Sequence, residues 1–206
     1  MRRAIDLIAA VFCLLFPGTI HAGDTYGAGT PMQVTLMQQE AQTEVPFYSA
    51  FITAGEKKFT FVVPQGFRVK GDPATGKLII GNLEGDCSVS FSILSSTPVE
   101  GGQVNEEACR ALVLKQHPGG KILEGFCPRV CGKSGQGFDI QWKAAENLYQ
   151  YERIAFVPTA FGFFVFTASS GRSRFSETQG NLGLIMATFR GSTNGKFDPV
   201  HIMGVN

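Results

Sequence analysis

Apolar and polar residues alternate along several short stretches of this chain, and a two-residue period predicts β-strands with one buried face. The clearest stretch is 88–94, where Val89, Phe91 and Ile93 alternate with serines. Short connections between the later stretches favour antiparallel hairpins over crossovers. The predicted strands are 58–63, 78–80, 88–94, 121–126, 137–143, 148–157 and 161–169.

Two other stretches, 105–117 and 173–189, carry the apolar period of a helix. In the first, Asn105 is a predicted N-cap, and Glu106 and Glu107 lie at the positive end of the helix dipole. The predicted buried stripe of this helix comprises Val104, Ala108, Ala111 and Leu112, with the aliphatic stem of Lys115.

Many strands with two inserted helices predict an α+β fold, in which an antiparallel β-sheet is flanked by helices. At 206 residues the chain is long enough for one core and too short for two full domains. The predicted organisation is a signal peptide at 1–22, a flexible N-terminal arm at 23–56, a single α+β domain at 57–191 and a C-terminal tail at 192–206.

The segment 1–22 has the pattern of a secretory signal peptide. Arg2 and Arg3 precede an apolar run at 7–16, and Ala22 supplies the small residue before the cleavage point. The alternative is a retained membrane anchor, but this run is about half of the ~20 residues that cross a bilayer. Because no later apolar run reaches that length, we expect an exported protein, periplasmic or extracellular, that is not integral to the membrane.

Composition excludes two broad classes of protein. Hydrophobic residues make up 44% of the chain and charged residues 17%, and the formal net charge is +1. Disorder requires low hydrophobicity and high net charge, so a wholly disordered chain is excluded. Nucleic-acid binding depends on an excess of basic residues, so we expect no nucleic acid among the partners.

The cysteines that follow the predicted signal are Cys87, Cys109, Cys127 and Cys131. An even number in an exported protein predicts disulfides, and the sequence leaves the pairing open. The preferred pairing joins Cys87 to Cys109 and Cys127 to Cys131. A redox site is an alternative, although three residues separate the last pair where a redox motif has two. A zinc site is another, although Cys87 and Cys109 lack the close spacing of a ligand pair.

The common catalytic and cofactor motifs do not occur in the sequence. His117 is predicted at a helix end and His201 in the tail, where histidines usually act as dipole partners or solvated side chains. Gly132-Lys133-Ser134 resembles the end of a phosphate-binding loop, but Cys127 stands where that motif needs glycine, and a strand follows. We therefore expect no catalytic residue, no metal and no cofactor.

Three arginines, Arg172, Arg174 and Arg190, bracket the second predicted helix. Cations are electrostatically unfavourable at a helix N-terminus, where Arg172 and Arg174 lie. One interpretation is therefore a solvated turn. The other is a patch formed by the three arginines that binds an anion or an acidic partner.

Several segments of the chain resemble the PsbP-like and DcrB-like superfamily. The first, 59–67, has alternating aromatic residues followed by Pro64-Gln65-Gly66-Phe67. The later ones are 149–153, 163–170 and 185–190, a hydrophobic strand that leads through small residues into a closing helix. The resemblance covers 57–191 and implies an antiparallel sheet sandwiched by helices, mostly non-enzymatic members and widely differing functions. The cysteines and the long N-terminal arm depart from the superfamily.

Three hypotheses for the function follow. The first is an exported, non-catalytic binding or accessory protein of the cell envelope or periplasm, whose partner is another protein or an envelope component. The second is an enzyme with a dispersed site, which would need a pocket holding Asp139, Glu152 and Arg153 or His117 with perturbed pKa values. The third is a carrier of a small ligand, which would need an apolar cavity lined by the strand 161–166.

Overall fold

The computed structural model describes residues 31–39, 47–72, 76–94, 105–146, 148–160, 162–193 and 196–197. The strands in these ranges are β1 (Gln33–Gln39), β2 (Phe47–Ala54), β3 (Lys57–Val63), β4 (Phe67–Asp72), β5 (Lys77–Asn82), β6 (Cys87–Leu94), β7 (Lys121–Phe126), β8 (Arg129–Val130), β9 (Lys133–Ser134), β10 (Gln136–Ala145), β11 (Leu148–Thr159), β12 (Gly162–Ser170), β13 (Arg190–Thr193) and β14 (Lys196–Phe197). The helices are α1 (Glu106–Gln116) and α2 (Phe175–Thr188), and a 3-10 turn (Arg172–Arg174) leads into α2.

The strands form two main sheets and one short hairpin. The smaller sheet has the order β1-β2-β3-β13-β14, and the larger has the order β4-β5-β6-β12-β11-β10-β7. All neighbouring strands pair antiparallel. The strands β8 and β9 pair with each other as a separate hairpin. The predicted α+β class, with antiparallel strands and helices packed on them, is confirmed.

The main core lies on one face of the larger sheet, where the smaller sheet and α2 cover it. Phe91 of β6 and Phe164 of β12 meet Phe59 and Phe61 of β3 there. The ring centroid of Phe189, the residue after α2, lies 5.1 Å from that of Phe91 and 5.2 Å from that of Phe164. Burying an aromatic side chain of this size contributes roughly 1.5–3 kcal/mol. The aromatic cluster therefore joins α2 and the smaller sheet to the larger one.

A second core lies on the opposite face of the larger sheet, beneath α1. Side chains that alternate with those of the main core, such as Phe156 of β11 and Val165 of β12, pack there against Cys109 and Val113 of α1. Both faces of the central strands are therefore buried, as in a sheet sandwiched between helices.

The buried stripe predicted for the first helix is only partly correct: Leu112 packs against the second core as predicted, but the most buried positions are displaced around the helix. Cys109 and Val113 are fully buried, whereas Ala111 is exposed and Ala108 is partly covered. A reduced cysteine packs as a small hydrophobic residue, which an assignment of Cys109 to a disulfide overlooks. Val104 lies outside the described residues.

Two strands lie in the segment that the sequence predicts as a flexible arm, 23–56. β1 pairs with β2, and β2 continues the smaller sheet onto β3. Ala50, Ile52 and Ala54 of β2 are buried, but two alanines give too weak an alternation to predict a strand. The folded unit therefore begins before residue 57, and β13 and β14 carry it beyond residue 191.

The predicted signal peptide, 1–22, lies outside the described residues, as does the end of the predicted tail after residue 197. Within the ranges that the structure describes, no helix combines the length and the apolar character needed to cross a membrane.

Candidate functional site

A pocket of about 620 Å³ opens at one end of the main core. It is bounded by the start of β3, the β8–β9 hairpin, the turn between β11 and β12, and β13. Its lining consists of residues 57–59, 130–133, 159–160, 164 and 190–192. We call this cavity the basic pocket.

Four cationic side chains line the basic pocket: Lys57, Lys58, Lys133 and Arg190. None of the lining residues is a carboxylate. Among the described residues, Lys58, Lys133 and Arg190 also form no ion pair with a carboxylate elsewhere. A concave surface lined by one sign of charge concentrates ions of the opposite sign. The basic pocket is therefore electrostatically suited to an anion.

Arg190 is held in place by the end of α2. Its Nη1 donates hydrogen bonds to the carbonyl oxygens of Ala187 and Phe189, each at 2.8 Å. These carbonyls belong to the negative end of the helix dipole, where a cation is favourable. The guanidinium is thus anchored by one nitrogen, and two others remain as donors for a ligand.

Cys131 lies beside Arg190 in the same pocket. Its thiol donates to the carbonyl oxygen of Phe189 at 3.6 Å, and its backbone has a φ of 50°. Burial raises the pKa of the Cys131 thiol, although a backbone hydrogen bond to Gly191 and the charge of Arg190 oppose this effect. The thiol is therefore neutral near pH 7, and the pocket keeps its positive charge.

The floor of the basic pocket is apolar. Phe59 and Phe164, both members of the main core, lie there with ring centroids 5.3 Å apart in an edge-to-face arrangement. Val130 adds a third buried apolar side chain. These side chains are almost entirely buried, so little of their apolar surface faces the cavity, and the accessible charge of the pocket comes from its cationic residues.

The structure separates the three arginines that the sequence suggested as one patch. Arg174 is engaged by carboxylates, at 2.6 Å from Glu84, 3.3 Å from Asp86 and 2.8 Å from Glu177. Arg190 lies at the other end of α2, about 20 Å away along a helix of this length. Arg172 is exposed on the 3-10 turn near Arg174. Of the three, Arg190 alone lines the basic pocket, where the lysines are its neighbours.

The groups considered for a dispersed enzyme site lie on opposite faces of the larger sheet. Asp139 accepts two hydrogen bonds from Arg153, each at 2.7 Å, and a third from Gln179 of α2 at 2.7 Å. This cluster therefore lies on the face that α2 covers. Glu152, one residue before Arg153 in β11, points to the other face, toward His117 at the end of α1. One pocket holding all four groups is not formed.

Glu152 and His117 form a buried pair beneath α1. The Oε2 of Glu152 lies 3.5 Å from Nε2 of His117, and Ser169 donates a hydrogen bond to Oε1 at 3.3 Å. Burial raises the pKa of Glu152 to about 7, with smaller opposing effects of Trp142, Ser169 and Lys77. Burial also lowers the pKa of His117 to about 4. Between these values both groups are uncharged, and their enclosure gives a substrate no access.

The cysteines are free thiols in this structure, and neither predicted disulfide is formed. The Sγ of Cys87 lies 2.9 Å from the hydroxyl of Thr178, on the α2 face of the larger sheet. Cys109 lies in the core on the α1 face. The sheet separates these two thiols, which excludes their pairing in this fold. A Cys127–Cys131 disulfide stays a prediction.

No group of three or more potential metal ligands occurs among the described residues. Sequence reasoning missed Lys57 and Lys58 as site residues, because a lysine at a strand end is an ordinary surface feature. A signal existed for Lys133, since the Gly132-Lys133-Ser134 segment resembles part of a phosphate loop. In the structure this segment turns between β8 and β9, where it brings Lys133 to the basic pocket.

Comparisons with known proteins give structural likenesses at low identity. No protein-family model matches the chain, and no curated protein does. The chain is similar to the Ran-binding protein Mog1p of Saccharomyces cerevisiae, with 12% identity, a TM-score of 0.47 and coverage of 76% of this chain and 95% of that one.

Two further solved structures are similar to the chain. Cyanobacterial PsbP from Synechocystis has 8% identity and a TM-score of 0.42, with 77% of this chain and 93% of that one covered. LpqN, involved in cell envelope biogenesis of Mycobacterium tuberculosis, has 12% identity and a TM-score of 0.41, with 78% and 92% covered. A PsbP is thus among the matches, as the resemblance in the sequence predicts, and the likeness concerns the fold alone.

Proposed function

We propose that this protein is an exported, non-catalytic binding or accessory protein that binds an anionic group of an envelope component or partner protein in the basic pocket. The observation that carries the proposal is the set of four cationic side chains around a cavity of about 620 Å³ whose lining has no carboxylate. Among the described residues, Lys58, Lys133 and Arg190 form no ion pair with a carboxylate. Like charges gathered in one place repel one another, and a bound anion would offset that repulsion.

The chemistry of the lining favours binding over catalysis. A general acid or base near pH 7 is most often a histidine or a carboxylate, and neither occurs among the lining residues. Cys131 is the one thiol in the lining, and burial raises its pKa, which disfavours a nucleophilic thiolate. The lining therefore supplies donors and positive charge, which are the requirements for holding an anion.

A titration with small anions tests the proposal. Inorganic phosphate or acetate is added to the ¹⁵N-labelled protein, and amide chemical shifts are followed. We expect the largest shifts in the β8–β9 hairpin and at the start of β13. Because the lysine side chains reach into solvent, affinity falls as ionic strength rises.

Matched variants locate the charge that matters. K133Q removes a cation from the pocket, whereas K143Q removes an exposed cation from β10, outside it. We expect several-fold weaker phosphate binding for K133Q and unchanged binding for K143Q. Equal effects of the two substitutions, or shifts confined to another surface, would contradict the proposal. Arg190 is left unchanged because its guanidinium closes the end of α2.

Export is tested by the intact mass of the protein produced with its first 22 residues in a bacterium that has a periplasm. We expect a periplasmic product that starts at Gly23. Alkylation of the unfolded protein without a reductant then counts its thiols, including the buried Cys87 and Cys109, and a mass lacking two alkyl groups would reveal one disulfide. A product that retains residues 1–22 would contradict export.

A further inference from the structure

We infer that the ligand of the basic pocket carries a phosphate monoester, a group with about two negative charges and three terminal oxygens. This inference rests on the function proposed above and names the class of anion that the pocket would bind. Its basis is the number and placement of the cations that form no ion pair with a carboxylate among the described residues. These cations are Lys58, Lys133 and Arg190, which lie on three different strands.

Two of the three cations lie on the same face of the smaller sheet. Arg190 of β13 pairs with Thr60 of β3, and Lys58 precedes Thr60 by two residues. Because side chains alternate along a strand, Lys58 and Arg190 project from the same side of the sheet. Diagonal neighbours of this kind lie about 7–8 Å apart, a distance that long side chains can bridge. One small anion can therefore contact both charges.

The third cation comes from the β8–β9 hairpin, which is held beside Arg190. The thiol of Cys131 donates a hydrogen bond to the carbonyl oxygen of Phe189 at 3.6 Å, and Nη1 of Arg190 donates to the same oxygen at 2.8 Å. Lys133 follows Cys131 by two residues and lines the same cavity. The shared carbonyl thus fixes the hairpin next to β13, and Lys133 reaches the pocket from a second side.

A phosphate monoester matches these three cations better than a carboxylate does. A carboxylate has one negative charge and two oxygens, which the guanidinium of Arg190 alone can engage. Lys58 and Lys133 would then have no ionic partner. A phosphate monoester carries a charge of about −1.5 to −2 at pH 7 and has three strong acceptor oxygens. It can therefore accept a hydrogen bond from a donor on each of the three strands.

The affinity must come from this charged group, because the pocket offers a ligand little apolar surface. Phe59, Phe164 and Val130 are 4%, 3% and 1% exposed. The cavity of about 620 Å³ has room for the phosphate and for part of the molecule that carries it. We therefore expect the phosphate to determine the affinity and the attached molecule to change it little.

Three small anions test the inference at pH 7.5 and at constant low ionic strength. Glycerol 3-phosphate is a monoester, glycerate has a three-carbon body with a carboxylate, and dimethyl phosphate is a diester with a single charge. Their affinities are measured from the amide chemical shifts of the ¹⁵N-labelled protein. One added contact between opposite unit charges at about 4 Å tightens binding roughly fivefold even at the dielectric constant of water. We therefore expect glycerol 3-phosphate to bind at least fivefold more tightly than the other two.

Matched variants test the role of the two lysines. K58Q and K133Q each remove one of the three cations, whereas K143Q removes an exposed cation outside the pocket. We expect K58Q and K133Q each to weaken glycerol 3-phosphate binding about fivefold. Both should weaken glycerate binding less, because Arg190 alone can hold a carboxylate. K143Q should change neither affinity.

The outcomes separate this inference from the proposed function. If glycerate or dimethyl phosphate binds as tightly as glycerol 3-phosphate, the monoester is refuted while anion binding stands. If K58Q and K133Q weaken glycerate as much as glycerol 3-phosphate, the matching of three cations to three oxygens is refuted. If neither these three anions nor inorganic phosphate shifts the amides of the β8–β9 hairpin and β13, the proposed function itself is refuted.

A phosphate with two negative charges occurs as the free ion, in soluble monoesters and in a lipid headgroup. Inorganic phosphate, glycerol 3-phosphate and vesicles that contain phosphatidic acid are therefore compared at equal phosphate concentration. Vesicles of phosphatidylglycerol, whose phosphate is a diester, are the lipid control. The source that binds most tightly identifies the form of the ligand. Equal or tighter binding to the phosphatidylglycerol vesicles than to those with phosphatidic acid would contradict the inference.

Discussion

Replacing Glu152 by glutamine should abolish a loss of stability that the wild-type protein suffers at neutral and alkaline pH. Glu152 is buried beneath α1, and its Oε2 has no hydrogen-bond partner among the described residues. Its pKa is raised from 4.5 to about 7. A carboxyl with a raised pKa contributes stability that is fully present below the pKa of the unfolded chain. That stability is lost as pH rises through the folded value.

The size of the effect follows from the two pKa values. The pKa rises from 4.5 to about 7 on folding, and at about 1.4 kcal/mol per pH unit, the ionised carboxylate costs the folded state about 3 kcal/mol. Glutamine keeps the shape of the protonated acid and carries no charge. We therefore expect E152Q to exceed the wild type in free energy of unfolding by about 3 kcal/mol at pH 8, relative to their difference at pH 4.5.

Urea unfolding at half-unit steps from pH 4 to pH 8.5 measures this difference. His117 has a folded pKa lowered to about 4, so its contribution is present above the unfolded value near 6.5 and is lost as pH falls toward 4. Both proteins retain His117, so its contribution to the free energy of unfolding largely cancels in the difference between them. The H117Q variant measures that contribution separately. A difference between wild type and E152Q that stays constant from pH 4.5 to 8.5 would refute the reasoning. So would a wild type that gains stability over the variant with rising pH, since that would reveal an ionised Glu152 paired with a protonated His117.

Three substitutions test other contacts by urea unfolding at one pH. The hydroxyl of Thr188 accepts a hydrogen bond from the buried N–H of Val62 at 3.0 Å and so joins α2 to β3. T188V leaves that donor unpaired, and we expect the free energy of unfolding to fall by about 1–3 kcal/mol. T188S keeps the hydroxyl and should lower it less. Asp139 is buried and accepts two hydrogen bonds from an arginine of β11, whose charge it neutralises. D139N removes the negative charge, and we expect the free energy of unfolding to fall by about 3 kcal/mol. An unchanged free energy of unfolding would contradict this expectation. A Cβ on Gly137 would overlap the ring of Phe126, so G137A should cost about 1–3 kcal/mol, and the double substitution with F126A should recover part of it.

The sequence predicts those elements whose pattern and tertiary role agree. β6, with alternating apolar residues and serines, and β12, with a continuous apolar run, are both rich in β-branched and aromatic residues, and both form central strands of the larger sheet. β2 is not predicted from the sequence, because its inward positions include two alanines and its alternation is weak. Its pairing with β3 holds it in the sheet. The predicted buried stripe of α1 is misplaced for a related reason. One of its most buried positions is a cysteine, Cys109, which the sequence predicts in a disulfide and not in the core.

The basic pocket lies beyond sequence reasoning for a geometric reason. Its cations lie on β3, β9 and β13. These strands are far apart in the sequence, and only the tertiary fold brings them together. The bracketing arginines of α2 are close in sequence and fail as a patch, because a helix sends its two ends in opposite directions. Carboxylates, including Glu84 in the β5–β6 turn, neutralise Arg174 at the N-terminal end of α2. Arg190, at the C-terminal end, has no carboxylate partner among the described residues.

The pairing of β3 with β13 sets an order of assembly for the protein. Thr60 lies opposite Arg190, so this contact closes a loop of 130 residues. Pairing over such a distance is slow, because the entropy of a long loop must be overcome before the contact forms. During synthesis the strands of the larger sheet emerge before β13, and the walls of the pocket are brought together last. The pocket is therefore complete only after residue 190 has been synthesised, and fragments that end before residue 190 would lack one of its walls.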